Sequence, residues 1–280
     1  MLVLASMLST PHTAILSAAD TDRKIELLVR ADDMGVSKSI NDACIQSYRD
    51  GVARSIEVIV PGPWFLDAVR LLKENPDCDV GVHLCLTSEW DFCKWGPLTH
   101  APSLVDSNGY FWPTEKQRKD SPGSNGFLEA NPDLGEVEAE LRAQIEMAMK
   151  HIPNVTHVSS HMGAATLTAQ LRALTSRIAS EYGLRLESPE LQRFPRTRGI
   201  NSPDFESEVV AGLGKLGPGK WLLVEHPGLD TPELRGFGNA RNATLAQDRA
   251  GVTRAFTSEK VKTAIRSKGI QLISYADLKD

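Results

Sequence analysis

The chain has few cysteines and few aromatic residues, and it carries no excess of basic charge. Its 280 residues include four cysteines without CxxC spacing, which argues against a zinc ribbon and against a disulfide-stapled small domain. A Cys85–Cys93 disulfide stays open only if the protein is exported. The formal net charge of −5 excludes the basic face that nucleic acid or an anionic membrane requires. No stretch after the amino terminus approaches the roughly 20 apolar residues of a membrane span.

The amino-terminal segment, residues 1–23, precedes the first predicted strand and has the composition of a leader. It is mostly apolar and small, and Ser17-Ala18-Ala19 is typical of a signal-peptide cleavage site. The basic residues that begin a signal peptide are missing, however, and Pro11 and His12 interrupt the apolar run. Two alternatives therefore stay open, a signal peptide with export to the periplasm and a disordered leader on a cytoplasmic protein.

Strand-like and helix-like segments alternate along residues 24–280. The predicted strands are residues 24–30, 52–60, 79–86, 155–160, 184–186, 221–224 and 270–274, and the predicted helices are residues 37–50, 64–74, 134–150, 166–182 and 258–267. This alternation predicts a parallel sheet. The fold class is therefore α/β, and about seven parallel strands in one domain indicate a distorted or incomplete (β/α) TIM-like barrel.

One long insertion, about residues 87–131, interrupts the alternation. It lacks periodicity and contains Trp90, Trp95 and Trp112 among glycines and prolines. A loop of this length inside a compact domain is commonly functional. The flat indole rings suit the apolar faces of sugars, and the alternative is a small satellite core that holds the insertion together. We predict a single barrel domain that carries this insertion.

Polar residues able to bind a metal follow the predicted strands. Asp32-Asp33 ends the first strand, His83 lies in the third, His161 follows the fourth and Glu225-His226 follows the sixth. The carboxyl ends of parallel strands meet at one face of a barrel, where the active sites of this fold lie. We therefore expect these side chains to form one cluster.

Asp33, His83 and His161 form the predicted metal site. Two imidazoles and one carboxylate leave positions for water and substrate, which is typical of a catalytic ion and suits Zn²⁺. Asp32 is then free to move protons. His157 is a rival ligand, but in an extended strand it lies roughly 13 Å from His161. We place it, like Glu225, behind the ligands or beside the substrate.

Four motifs in order resemble the YdjC-like, or ChbG/HpnK, family of carbohydrate deacetylases, which includes chitooligosaccharide deacetylases. They are A-D-D-M-G, G-V-H-L-C-L-T, T-H-V-S-S-H and E-H-P-G, and the similarity runs from about Leu27 to the carboxyl-terminal G-I-Q-L-I-S-Y-A-D-L. The resemblance implies a barrel of the glycoside hydrolase/deacetylase type. It also implies Mg²⁺-dependent hydrolysis of the C–N bond of an N-acetyl group on an amino-sugar-containing oligosaccharide or polysaccharide.

The resemblance also implies roles for individual residues. The metal ligands correspond to Asp33, His83 and His161, the general base to Asp32, and the late catalytic histidine to His226. The chain departs from the family pattern in five places, one of which is Met162-Gly163 after His161, where the family often has further histidines. Met34 replaces Phe, Leu229 replaces Tyr, Arg185 only approximates the arginine expected after the fifth strand, and Ser159 replaces an Asp, so that an acidic partner is lost.

Two other kinds of function stay open at this point. A metal-dependent phosphoesterase or glycosidase could use the same carboxylates and histidines, although only Arg30 adjoins the motifs. A non-catalytic sugar-binding protein would have negligible metal affinity, which the intact Asp and His set argues against. The predicted partner is an oligosaccharide or other small molecule, and a homodimer is left open.

Overall fold

The computed structural model describes residues 24–118, 126–186, 190–195, 204–238 and 242–278. The predicted leader, residues 1–23, lies outside the described residues. The strands are β1 Ile25–Met34, β2 Ser55–Val58, β3 Asp79–Leu84, β4 Val155–Ser160, β5 Arg185–Leu186, β6 Gln192–Arg193, β7 Gly219–Glu225 and β8 Gln271–Ile273. The α-helices are α1 Lys38–Arg49, α2 Phe65–Lys73, α3 Leu134–His151, α4 Ala169–Glu181, α5 Phe205–Lys215, α6 Pro232–Arg235, α7 Leu245–Thr257 and α8 Glu259–Ser267. Two 3₁₀ helices span Pro102–Leu104 and His161–Thr166.

The strands form one curled parallel sheet in the order β5-β4-β3-β2-β1-β7-β6. The eighth strand, β8, pairs with the amino-terminal half of β1, and β2 pairs with its carboxyl-terminal half. Both ends of this path are strands of only two residues, and within the described part of the chain no pairing joins them. The structure confirms the predicted incomplete (β/α) barrel.

The central strand β1 alternates between two faces, as a strand buried on both sides requires. Leu27, Val29 and Ala31 belong to the main hydrophobic core beneath the helices. Leu28 instead packs in a second cluster, which also contains Tyr275. Residues two positions apart share a face, so Arg30 and Asp32 lie on the same interior side as Leu28. The barrel interior is therefore apolar at the amino-terminal end of β1 and charged at its carboxyl-terminal end.

Helix α1 has a clear sequence signal, whereas helix α7 and strand β6 have weak ones. Ser37 caps α1 by accepting a hydrogen bond from the amide of Ile40 at 3.1 Å. Helix α7 was not predicted because its buried face consists largely of small or polar residues, which give a weak apolar period. Strand β6 has two exposed residues and so has no pattern to detect.

The described part of the insertion has little regular structure, and α3 holds it against the barrel. The buried Glu140 carboxylate accepts hydrogen bonds from the amides of Leu98 at 3.1 Å and Thr99 at 3.0 Å. The Gln144 amide bonds to both the N–H and the C=O of Cys85, at 2.9 and 2.8 Å. These side chains satisfy backbone groups that would otherwise be buried without partners.

The structure bears on the possible disulfide and on membrane-spanning segments. All four cysteines are free thiols, so the Cys85–Cys93 disulfide considered above is not formed. Among the described helices, none has both the length and the apolar character needed to cross a membrane.

Replacing Gly35 with Ala should destabilise the protein. Gly35 has φ +104°, and a Cβ at this position would lie 2.5 Å from the carbonyl oxygen of Ile59. We expect the free energy of unfolding, measured in urea, to fall by more than the roughly 1–2 kcal/mol of a left-handed backbone. Gly109→Ala is the matched control, because Gly109 has φ +84° and open space around its Cβ position. Equal losses for both variants would contradict the steric role of Ile59.

Candidate active site

Asp32 and Asp33 reach the same site because β1 is irregular where they lie. Neighbouring residues of a regular strand point to opposite faces. Here the pairing with β2 shifts register between Ala31 and Met34, and Asp33 adopts φ +73°. This conformation is unfavourable for a residue with a side chain and typically marks a functional position. As a result, His83 Nε2 lies 3.6 Å from Asp32 Oδ2 and 3.7 Å from Asp33 Oδ1.

Asp33, His83 and His161 form a candidate metal-binding group. One ligand atom from each residue lies within 4.8 Å of the other two, and all three residues are buried. His161 Nδ1 is 3.3 Å from Asp33 Oδ1, and this buried oxygen accepts no hydrogen bond from the residues that the structure describes. A buried carboxylate oxygen without a donor is costly, and a cation between these three atoms would remove that cost. The donor set therefore fits a divalent metal ion, as the sequence predicted.

Arg249 compensates the charge of Asp33. Its Nη2 donates a hydrogen bond to Asp33 Oδ2 at 2.6 Å, and its guanidinium lies over the ring of Trp90 at 5.1 Å. Burial by itself would raise the pKa of the Asp33 carboxyl, but Arg249, His226 and His161 hold it well below its usual range. Asp33 is thus ionised at neutral pH, which is the state that binds a metal.

Arg30 holds Asp32 from the opposite side. Its Nε and Nη2 donate to the two carboxylate oxygens of Asp32 at 2.8 and 2.9 Å, and its Nη1 donates to the Tyr275 hydroxyl at 3.2 Å. Burial, with help from the neighbouring carboxylates Glu57 and Asp33, outweighs Arg30 and raises the pKa of Asp32 to about 7. A carboxyl that exchanges its proton near neutral pH is suited to acid–base work.

His226 follows β7 directly and lines the same cavity as Asp33 and His161. Burial lowers the pKa of His226 to about 4, although the nearby Asp33 opposes this shift. The imidazole is therefore neutral at neutral pH. Glu225, the last residue of β7, is fully buried and pairs in register with Ala31, so it lies behind the site beside β1.

His157 lies behind the candidate ligands and is bound by a residue that the sequence analysis missed. Its Nε2 is 2.5 Å from Oε1 of Glu57, and its ring stacks on Tyr275 with centroids 3.9 Å apart. Ser159 Oγ donates to Glu57 Oε2, and His83 Nδ1 lies 2.7 Å from Ser159 Oγ. The carboxylate that is lost at position 159, where Ser replaces the Asp of the family pattern, is therefore supplied by Glu57 on β2.

Two of the candidate ligands, Asp33 and His161, line a cavity of about 450 Å³ at the carboxyl ends of the strands. Its lining includes Asp33, His161, His226, Glu89 and Arg249. Glu89 Oε2 lies 3.0 Å from His161 Nε2, so that the other ring nitrogen of His161 faces Asp33. A larger cavity of about 650 Å³ lies near the starts of β3 and β4, at the end of the barrel opposite to that of active sites.

Three side chains of the site were missed in the sequence, for different reasons. Glu57 is the one charged residue in the apolar run S-I-E-V-I-V, and a charge there is rarely buried without a partner, so a signal was present. Glu89 directly follows the G-V-H-L-C-L-T-S run but has no distinguishing pattern. Arg249 lies on α7, which itself was not predicted, and only folding brings it to Asp33.

The indole rings of the insertion lie mostly inside the protein. Trp90 and Trp95 are each 3% exposed, whereas Trp112 is half-buried. Trp90 packs edge-on against Trp95, whose Nε1 donates to Cys85 Sγ at 3.1 Å. The burial of Trp90 and Trp95 agrees with the satellite core, and stacking of these rings on sugars stays a prediction.

A curled parallel α/β barrel with an Asp–His cluster at the carboxyl ends of its strands is the class of protein that this fold and site define. The model of the family described as YdjC-like protein matches residues 26–267. The chain therefore belongs to the YdjC-like protein family, which confirms the resemblance inferred from the motifs.

Individual relatives extend this similarity. A carbohydrate deacetylase of Thermus thermophilus is 34% identical over 233 residues, which cover 75% of this chain and 80% of the relative. A carbohydrate deacetylase of Brevibacillus brevis is 33% identical over 270 residues, which cover 91% of this chain and all of the relative. The crystal structure of a candidate cellobiose-phosphate cleavage protein from Enterococcus faecalis V583 has a TM-score of 0.74 at 24% identity and covers 92% of this chain and 100% of that chain. This last likeness shows the fold alone.

Replacing Trp95 with Ala should destabilise the insertion and the core beneath it. Removing so large a buried ring leaves a cavity, and we expect a loss of about 3–5 kcal/mol in the free energy of unfolding. Denaturant unfolding followed by circular dichroism measures this loss. Phe92→Ala is the matched control, because Phe92 lies in the same insertion and is 71% exposed. A similar small effect for both variants would argue against the satellite core.

Proposed function

We propose that this protein is a metal-dependent carbohydrate deacetylase, which hydrolyses the amide bond of an N-acetylated amino sugar. The observation that carries the proposal is the buried group of three candidate ligands, Asp33, His83 and His161. Asp33, His161 and His226 line one cavity, and Asp32 lies 3.6 Å from His83. The names of the Thermus and Brevibacillus relatives supply the reaction class. A cavity of about 450 Å³ has the size of a small-molecule site, which suits one end of an oligosaccharide.

The proposed metal site consists of Asp33, His83 and His161, which would hold one divalent ion. Such an ion, when bound, polarises the acetyl carbonyl and makes a water easier to deprotonate. The resemblance to the family favours Mg²⁺, and the two imidazoles also suit Zn²⁺.

The chain's own residues divide the acid–base work between them. Asp32 takes the proton from the attacking water, and its two hydrogen bonds from Arg30 orient the carboxylate for this transfer. Arg249 keeps Asp33 ionised and apart from the proton transfers. His226 donates a proton to the departing nitrogen. Because burial keeps this imidazole neutral, it must first take up the proton it delivers during the reaction.

The other functions considered from the sequence gain no support from the relatives. Both relatives named above are carbohydrate deacetylases, which favours neither a phosphoesterase nor a glycosidase. A non-catalytic sugar-binding protein would have no use for the buried Asp–His group or for the proton-exchanging Asp32.

Acetate release should depend on a divalent metal. We expect the purified protein to release acetate from one or more N-acetylglucosamine oligomers or N-acetylated glycolipids, and a chelator to abolish this release until metal is restored. Coupled enzymatic detection of acetate provides the measurement. Asp33→Asn serves as the control, since it should lose metal and activity together. A broad panel without chelator-sensitive acetate release would overturn the proposal.

Asp32→Asn should keep the metal and lose turnover. The amide retains the shape of the carboxylate but cannot accept the proton of the water, so kcat should fall about 10²- to 10⁴-fold. Metal content by elemental analysis and kcat for acetate release are measured on the same sample. Asp230→Asn is the matched control, because Asp230 lies on the surface and forms its hydrogen bonds with Arg235, away from the candidate site. If Asp32→Asn remains active, another group is the base.

A further inference from the structure

We propose that Glu57 is a positioning residue which, acting through Ser159, fixes the proton of His83 on Nδ1 and so keeps Nε2 free as a metal ligand. The proposal rests on the metal site of the proposed function. It assigns a role to a buried carboxylate that touches neither the cavity nor the candidate ligands themselves.

The direction of the hydrogen bonds carries the argument. A carboxylate can only accept hydrogen bonds, so the single hydroxyl proton of Ser159 must point to Glu57 Oε2. Ser159 Oγ can then only accept from His83 Nδ1, which lies 2.7 Å away. A neutral imidazole has one N–H, and with that proton on Nδ1 the lone pair of Nε2 is free.

The free nitrogen faces the candidate metal position. His83 Nε2 lies 3.7 Å from Asp33 Oδ1, the buried oxygen for which the described part of the chain provides no hydrogen-bond donor. If the hydroxyl of Ser159 pointed the other way, the proton of His83 would move to Nε2 and block coordination. Partners behind a ligating histidine typically change metal affinity 10- to 100-fold.

Glu57 is held firmly in the acceptor state. Burial would raise its pKa, but His157 and Arg30 lower the pKa to about 2, so the group is a carboxylate throughout the neutral range. His157 Nε2 binds the other oxygen, Oε1, at 2.5 Å. Gly81 on β3 leaves the space that this pair needs, because a Cβ there would overlap both His157 Nε2 and Glu57 Oε2.

The wild-type protein provides the first test without any substitution. Nitrogen-15 NMR of histidine-labelled protein, free of metal, distinguishes a protonated from an unprotonated ring nitrogen, and His83→Asn identifies the signals of His83. We expect Nδ1 to be protonated and Nε2 to be unprotonated. The reverse pattern would overturn the proposal.

Variants of the two residues provide the second test. Ser159→Ala removes the link to His83 at little cost in volume, and Glu57→Met removes the acceptor so that the Ser159 hydroxyl can turn to His83. We expect Zn²⁺ affinity, measured by calorimetry, to fall about 10- to 100-fold in each variant that melts as a folded protein. The nitrogen-15 spectrum should then show Nε2 of His83 partly or mainly protonated.

Two further variants separate positioning from general structural damage. Ser159→Thr keeps the hydroxyl and should restore both the affinity and the Nδ1–H signal. Thr156→Val removes a hydroxyl that lies 2.8 Å from His157 Nδ1, on the side away from His83, and should leave both readouts unchanged.

The outcomes distinguish this inference from the proposed function. Wild-type affinity for Zn²⁺ in folded Ser159→Ala would overturn the positioning role. A wild-type protein that binds neither Zn²⁺ nor Mg²⁺, yet shows His83 protonated on Nδ1, would overturn the metal site and support the assignment of the proton.

Discussion

The buried ion pair between Asp33 and Arg249 is the interaction on which the candidate site depends. It joins the end of the central strand to a helix more than 200 residues later, and it keeps one carboxylate charged where burial would neutralise it. Breaking a buried pair by removing one partner typically costs about 3–5 kcal/mol. The Oδ1 atom that this pair leaves without a donor is also the one that faces both candidate histidine ligands.

The other buried charges beneath the candidate site are also paired, in two layers. Arg30 binds Asp32 with two hydrogen bonds, and Glu57 lies between His157 and Ser159. Arg30, Asp32 and Glu57 therefore each have a partner of opposite sign or a hydrogen-bond donor, as interior charges require. These contacts connect the candidate site to the packing beneath it, because Ser159 Oγ lies 2.7 Å from Nδ1 of the candidate ligand His83 and donates to Glu57.

Much of the fold was predictable from the order of its segments. The alternation of apolar strands with amphipathic helices determines a parallel sheet. Strands β1 and β3 were recognised from their apolar runs, and β4 from its β-branched Val155 and Val158. The structure differs where a pattern is weak or short. Helix α7 buries small residues, β6 has two residues, and β2 is shorter than the apolar run around it, because pairing depends on neighbouring strands as well as on propensity.

The sequence by itself determined which residues form the candidate site, because Asp32, Asp33, His83, His161 and His226 stand at strand ends that a parallel barrel must bring together. Only the tertiary structure decided how they act. The bulge and positive φ at Asp33 turn two adjacent carboxylates to one histidine, and Glu57 and Arg249 arrive from elements distant in sequence. Burial placed Trp90 and Trp95 in a core and shifted the pKa values of Asp32 and Asp33 apart. Such contacts and dielectric effects depend on distances that linear spacing does not contain.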